Sequence, residues 1–181
     1  TRALDGTVDY YTAGAQTVSA QTYTNLTLSG GGVKALGGAS TVNGVLSMQG
    51  TATYANGGHA LTHGGLAILE YKGSAAQITG PELLATLPNL RIDNANGVTL
   101  SSATTVNGTL YLTNGVLSNG VNLTLANGAT ISRASGSLAA VPTFGTSVNL
   151  IYTGSTAVAT GPELPTSASV LNNLTISNSG G

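Results

Sequence analysis

Apolar and polar residues alternate one by one along much of the chain. Leu26 and Leu28, Leu110 and Leu112, and Leu123 and Leu125 each flank a single Thr or Tyr. A period of two predicts β-strands with one buried face. No window sustains a helical period, and Gly and Asn are too frequent for helix. Seven Asn-Gly pairs, beginning at Asn43, Asn56, Asn96, Asn107, Asn114, Asn119 and Asn127, punctuate the alternation. Both residue types tolerate positive φ, so the pairs are expected at tight turns.

The strands recur as phrases. "TVNG" stands at 41–44 and again at 105–108. "NLTL" at Asn25, "NLRI" at Asn89 and "NLTI" at Asn173 form a second series. "YKGSAAQITG" from Tyr71 matches "YTGSTAVATG" from Tyr152, and each is followed by "PEL". "YTAGAQTVSA" from Tyr11 is a looser copy. These phrases divide one domain, residues 1–181, into repeats of approximately 8–65, 66–146 and 147–181, the last incomplete.

Unequal spacings reveal the structural unit. "HALTH" at 59–63 aligns with "VNLTL" at 121–125. Tyr71 follows Leu61 closely, yet its counterpart Tyr152 follows Leu123 only after a much longer stretch. The later repeat has gained a block, roughly 126–145, without disturbing its flanks. Adding one coil to a stack would do this. The markers Asn25, Asn43 and Ala60, and again Asn107 and Asn122, fall at intervals of about 15–20 residues, which suits a solenoid coil.

A single-stranded parallel β-solenoid of about eight or nine coils is therefore the expected fold, on the order of 40 Å long at ~4.8 Å per rung. Its narrow interior suits Ala, Val, Leu and Thr, and the chain has seven Tyr, one Phe and no Trp. The alternative is an antiparallel β-sandwich, because Asn-Gly is also a strong hairpin signal. At one corner the connection lengthens along the chain, from Ala20–Asn25 to Gly80–Asn89 and again to Gly161–Asn173. Pro81, Pro88, Pro162 and Pro165 lie in the longer two. Proline cannot donate to a ladder, so these segments are expected to leave the stack as surface loops.

Charge changes the functional picture. Five basic and six acidic residues are scattered singly. Nucleic-acid binding requires clustered Lys and Arg, and no such cluster exists. No basic amphipathic segment suggests a membrane surface, and the apolar runs are too short to span a bilayer. The absence of cysteine removes thiol nucleophiles and zinc-thiolate sites. A polar surface made of Thr, Ser and Asn suits an extracellular or cell-surface location.

Candidate chemistry is sparse. His59 and His63 are weak metal-ligand candidates: on a strand they share a face with Leu61, but their sister positions are Val121 and Leu125. No Glu follows the first His in the manner of helical zinc sites. Glu82 and Glu163 occupy equivalent places in the two "GPEL" loops and are candidates for loop-corner binding. A separation of roughly 15–20 Å, expected from the coil rise, exceeds the ~5–10 Å of a glycosidase pair. Asp5, Asp9, Glu70 and Asp93 have no reason in the sequence to converge, and Lys72 and Arg91 lack the basic surroundings of a polysaccharide lyase. "SGGGVKALGG" at 29–38 lacks the Lys-Ser/Thr ending of a phosphate loop and reads as a corner. The Thr-x-Thr pairs at Thr22 and Thr51 do not recur coil after coil, as an ice-binding face requires. Asn25, Asn107, Asn122 and Asn173 open Asn-x-Thr triplets, acceptors for glycans where the source organism modifies them. No cofactor is expected.

The phrase "NLTLSGGGVKALGGASTVNGVLSM" at 25–48, with "AAQITG" and "VNLTLANGATI", resembles the low-complexity solenoid repeats of secreted bacterial surface proteins, adhesin-like and autotransporter-passenger-like. The resemblance covers nearly the whole chain. It implies an exported β-solenoid and carries over no catalytic residue. "LNNLTISNSGG" at the end matches "LPNLRIDNANG" and stops mid-phrase. Val8, Tyr10, Leu174 and Ile176 are thus the expected assembly edges, completed by another copy head to tail or by the rest of a longer surface protein. The expected role is structural and non-catalytic, in a filament, stalk or adhesin. The alternative is a carbohydrate-binding or carbohydrate-processing secreted β-helix.

Overall fold

The computed structural model describes residues 3–167 and 169–180. The chain is all-β, with parallel coils stacked into a β-solenoid of about nine turns. One face carries a rung from every coil: β1 (Ala3–Tyr10), β3 (Thr22–Leu28), β6 (Val45–Gly50), β9 (Ile68–Gly73), β12 (Asn89–Asp93), β15 (Thr109–Asn114), β18 (Ala129–Arg133), β21 (Val148–Tyr152) and β22 (Leu171–Ile176). Strand pairing is parallel throughout the described residues, which excludes the sandwich.

Period-two alternation puts two residues of each rung inside, and parallel stacking sets like on like. The first inner ladder runs Val8, Leu26, Leu46, Leu69, Leu90, Leu110, Ile131, Leu150, Leu174. The second runs Tyr10, Leu28, Met48, Tyr71, Ile92, Leu112, Arg133, Tyr152, Ile176. From Leu26 to Leu150 every member of the first ladder is fully buried. Each buried Leu or Ile contributes roughly 1.5–3 kcal/mol relative to exposure, and the two ladders share the core with buried residues of the shorter faces such as Val18, Leu87 and Leu123. The second ladder contains one charged residue, Arg133.

Two shorter faces complete the coils, and both are broken at the same level. On one, β2 (Gln16–Val18), β4 (Val33–Leu36) and β7 (Thr53–Ala55) pair together, while β10 (Gln77–Ile78), β13 (Val98–Thr99), β16 (Val116–Ser118) and β19 (Ser137–Leu138) form a separate sheet. On the other, β5 (Ser40–Val42) and β8 (Leu61–His63) continue the start of β3, and β11 (Thr86–Leu87), β14 (Thr104–Val106), β17 (Leu123–Leu125) and β20 (Thr143–Phe144) form another sheet. The break lies between the third and fourth coils, where the first "GPEL" segment enters. The added block, residues 126–145, is one coil built from β18, β19 and β20.

The structure corrects two sequence expectations. The "GPEL" segments do not leave the stack: Pro81 is exposed, but Glu82, Leu83 and Glu163 turn inward and are buried. The Asn-Gly pairs are of two kinds. Gly57, Gly97, Gly115, Gly120 and Gly128 have positive φ, as turn residues do, whereas Asn adopts it nowhere among the described residues. In the two "TVNG" phrases the reason is space. A Cβ on Gly108 would lie 2.7 Å from both the Asn89 Oδ1 and the Pro88 carbonyl oxygen, and one on Gly44 would meet Asn25 Oδ1 at 2.5 Å.

Those asparagines clamp successive coils. Asn89 Oδ1 accepts from the Thr109 N–H (2.8 Å), and its Nδ2 donates to the Ala67 carbonyl (3.2 Å). Asn25 Oδ1 accepts from the Val45 N–H at 2.8 Å in the same way. Each asparagine satisfies the backbone amide of the residue that opens the next coil's strand.

Candidate functional site

The inward turn of each "GPEL" segment builds a buried cradle. Leu83 N–H donates to the Gly80 carbonyl (3.1 Å) and closes a turn that aims Glu82 into the solenoid. There Glu82 Oε1 accepts from the Tyr71 hydroxyl (2.7 Å) and from the Gly80 N–H (2.7 Å). Four coils later, Leu164 N–H closes the same turn on Gly161 (3.1 Å). Glu163 Oε1 accepts from the Tyr152 hydroxyl (2.9 Å) and the Gly161 N–H (3.0 Å). Tyrosine and glutamate are separated by the same stretch of chain in both.

The rung beneath the tyrosine differs. Arg133 lies below Tyr152, and Met48 below Tyr71. The Arg133 guanidinium pairs with Glu163 inside the protein and also donates to the Gly136 carbonyl (2.7 Å) and the Ala159 carbonyl (2.9 Å). Met48 offers no charge, and among the described residues Glu82 makes no ion pair. A cavity of about 360 Å³ lies beside Glu82, lined also by Met48, Tyr54, Tyr71 and Gln77, at the level where both shorter faces are broken. The Tyr54 hydroxyl and Glu82 Oε2 are buried there without a hydrogen-bond partner. Glu163 Oε2 also lacks a hydrogen bond, but its carboxylate charge is met by Arg133.

Electrostatics follow this geometry. Burial, then the Glu82 charge and hydrogen bond, push the Tyr71 hydroxyl well above the ordinary phenol range. Burial and the Glu82 charge push Tyr54 up to about 12. Tyr152 is raised by burial and by Glu163, against the opposing pull of Arg133. A third buried polar cluster sits lower in the stack. Lys34 is wholly enclosed, and its ammonium donates to the Thr12 carbonyl (2.7 Å), the Gly14 carbonyl (3.0 Å) and Gln16 Oε1 (2.8 Å).

Charges that look isolated in the sequence meet on the outer side of the nine-rung face. Glu70 and Arg91 are register partners and form an ion pair at 3.2 Å, and Lys72 pairs with Asp93 at 3.1 Å. Ser47 Oγ donates to Glu70 Oε2 at 2.6 Å, and the Arg91 guanidinium lies 4.9 Å from the Tyr111 ring centroid. Pairing at the coil period was the signal, since residues one coil apart are neighbours. The inward position of Arg133 was also legible, because Ala129, Ile131 and Arg133 alternate on one strand.

The remaining sequence candidates fall as follows. His59 is exposed and precedes β8, while His63 ends it, half-buried, with Nε2 3.4 Å from the Glu82 carbonyl oxygen. The sequence expectation that His59 shares the strand with Leu61 is thus corrected: the Asn56-Gly57 turn delays the start of β8. No group of three His, Cys, Asp or Glu able to hold a metal occurs among the described residues. Glu82 and Glu163 sit in separate cradles four rungs apart, roughly 20 Å at the usual rise. Of the Asn-x-Thr asparagines, Asn107 and Asn173 are exposed, whereas the amides of Asn25 and Asn122 donate to the Gly6 (3.4 Å) and Leu100 (3.3 Å) carbonyls. At the solenoid ends, Val8 and Tyr10 are half-buried, and the Tyr10 hydroxyl accepts from the Ser19 N–H at 2.9 Å. Leu174 and Ile176 are 48% and 68% exposed.

No protein-family model matches the chain, and neither a curated protein nor a solved structure does.

Proposed function

We propose that this chain is a structural, non-catalytic β-solenoid element of an extracellular filament, stalk or adhesin, working through coil-on-coil stacking. The observation that carries the reading is the state of β22. Leu174 is in register with Leu150 and Ile176 with Tyr152, both buried, yet the outer pair is largely exposed. A further coil on that edge would continue both inner ladders, and the strand leaves a row of backbone groups able to accept it. Val8 and Tyr10 present the same two ladders at the opposite edge. The coil can come from a second copy or from the rest of a longer surface protein, and head-to-tail stacking of copies would not close on itself.

The scarcity of charge, with a surface of Thr, Ser and Asn, and the resemblance of the repeats to secreted bacterial surface solenoids support an extracellular setting. A carbohydrate-processing role built on Glu82 and Glu163 loses its geometric support, because the two carboxylates are buried in different coils. Negative-stain electron microscopy of the purified protein over a concentration series, with size-exclusion chromatography, tests the self-assembling form. Fibres of uniform width are the expected result. Short rods that stay monomeric at every concentration would remove self-assembly.

A further inference from the structure

The two cradles are internal copies, and one of them lacks its cation. At Glu163 the frame of tyrosine hydroxyl, glycine N–H and inward carboxylate is completed by the guanidinium of Arg133. At Glu82 the same frame is present with the same partners, but Met48 holds the rung position of Arg133. Space stands where the guanidinium would be, in a cavity of about 360 Å³. That volume is at the small end of the range for small-molecule sites, ~300–1,000 Å³.

A carboxylate 2% exposed and without a counter-charge is costly unless something pairs with it. The nearby buried cation cannot serve. Lys34 lies one rung below Tyr54, and its ammonium already has three acceptors. The Tyr54 hydroxyl is a second orphaned polar group lining the same cavity. Access is open, because Thr51, Thr53 and Ile78 at the rim are exposed.

We propose that the cavity beside Glu82 is a binding site for a guanidinium group carried by another molecule, which takes the place that Arg133 fills from within the protein at Glu163. Glu82 Oε1 accepts a charge-assisted hydrogen bond from it, as Glu163 Oε1 does from Arg133. The Tyr54 hydroxyl accepts another, and Tyr54 and Tyr71 both line the space that the cation fills. Guanidinium suits the site better than a compact ammonium, since Arg133 fills the sister cradle with one and its planar fork presents several donors. The group can arrive on a free small molecule or on an arginine of another polypeptide.

Isothermal titration calorimetry of the full chain with ethylguanidinium, and separately with a blocked Gly-Arg-Gly peptide, tests the site. The expected result is saturable binding of either probe, at least tenfold weaker for Glu82→Gln and for Met48→Arg. Tighter binding of the peptide would assign the group to a polypeptide partner. Glu82→Gln keeps an acceptor for Tyr71 and Gly80, so circular dichroism should show an unchanged fold. Met48→Arg should supply its own guanidinium and raise the melting temperature while excluding both probes. If it misfolds, Glu82→Gln decides alone. Absence of saturable binding of both probes to the unmodified protein, or binding undiminished in Glu82→Gln, would overturn the proposal.

Discussion

Arg133 and Glu163, far apart in sequence, form an ion pair inside a solenoid whose other inner-ladder residues on the nine-rung face are uncharged. The pair is buried, with the Arg133 and Glu163 side chains 9% and 0% exposed. Removing one partner strands the other. Arg133→Met should cost about 3–5 kcal/mol in urea unfolding, because a carboxylate is left buried and unpaired. Arg133→Met combined with Glu163→Gln should recover a large part of that loss, since the amide still accepts from Tyr152 and Gly161. A double-mutant cycle measures the coupling.

The corner clamp gives a second expectation. Gly108→Ala puts a methyl group 2.7 Å from the Asn89 Oδ1 and the Pro88 carbonyl oxygen, and should destabilise by about 1–3 kcal/mol. Asn89→Ala loses the bonds to Thr109 and Ala67 and should cost about 1–3 kcal/mol. The double variant should remain destabilised, because the backbone oxygen of Pro88 still blocks the methyl. Thermal melts of the three variants distinguish these outcomes.

Burial holds the His63 imidazole below its ordinary value, opposed only in part by the Glu82 carbonyl. The unfolded chain then binds the proton more readily than the folded one. Stability from this group is fully present above about pH 6.5, the unfolded value, and is lost as pH falls through the folded value. Urea midpoints should fall more steeply between pH 7 and pH 5 in the unmodified protein than in His63→Leu, which copies Leu125 of the sister coil. Equal pH dependence in the two would refute the assignment.

Alkaline titration reads the cradles directly. Tyr54, pushed up to about 12, and Tyr71, raised well above the ordinary phenol range by burial and the adjoining Glu82, should stay protonated above about pH 10. The sign is opposite to that of His63: stability from these phenols is present below about pH 10 and lost as pH rises through their folded values. Ultraviolet difference spectra should show delayed ionisation, and Tyr54→Phe should remove one delayed phenol.

Assembly, if it occurs through β22, should be sensitive to charge at the exposed ladder positions. Leu174→Lys and Ile176→Lys should abolish fibres while leaving the circular dichroism spectrum unchanged, because both side chains are largely exposed in the single chain. Fibres that persist in both variants would place any contact elsewhere.

The parallel pairing that excludes a sandwich came from the structure, while the sequence alone determined the strands, the coil period and even the added coil at residues 126–145. Each is set by local alternation or by repetition at a fixed period, and stacking like on like needs nothing else. It misjudged the "GPEL" segments because proline reports only that a residue leaves the ladder, not which way its neighbours turn. Tertiary structure decided that Glu82 and Glu163 point inward, that Arg133 meets one of them while Met48 lies under the other, and that Glu70, Lys72, Arg91 and Asp93 form a paired cluster. The ion pairs and rung contacts join residues about a coil or more apart, and each inward carboxylate depends on a tyrosine on the other side of a corner. Their polarity is settled by which hydrogen bonds and counter-charges the finished interior can supply.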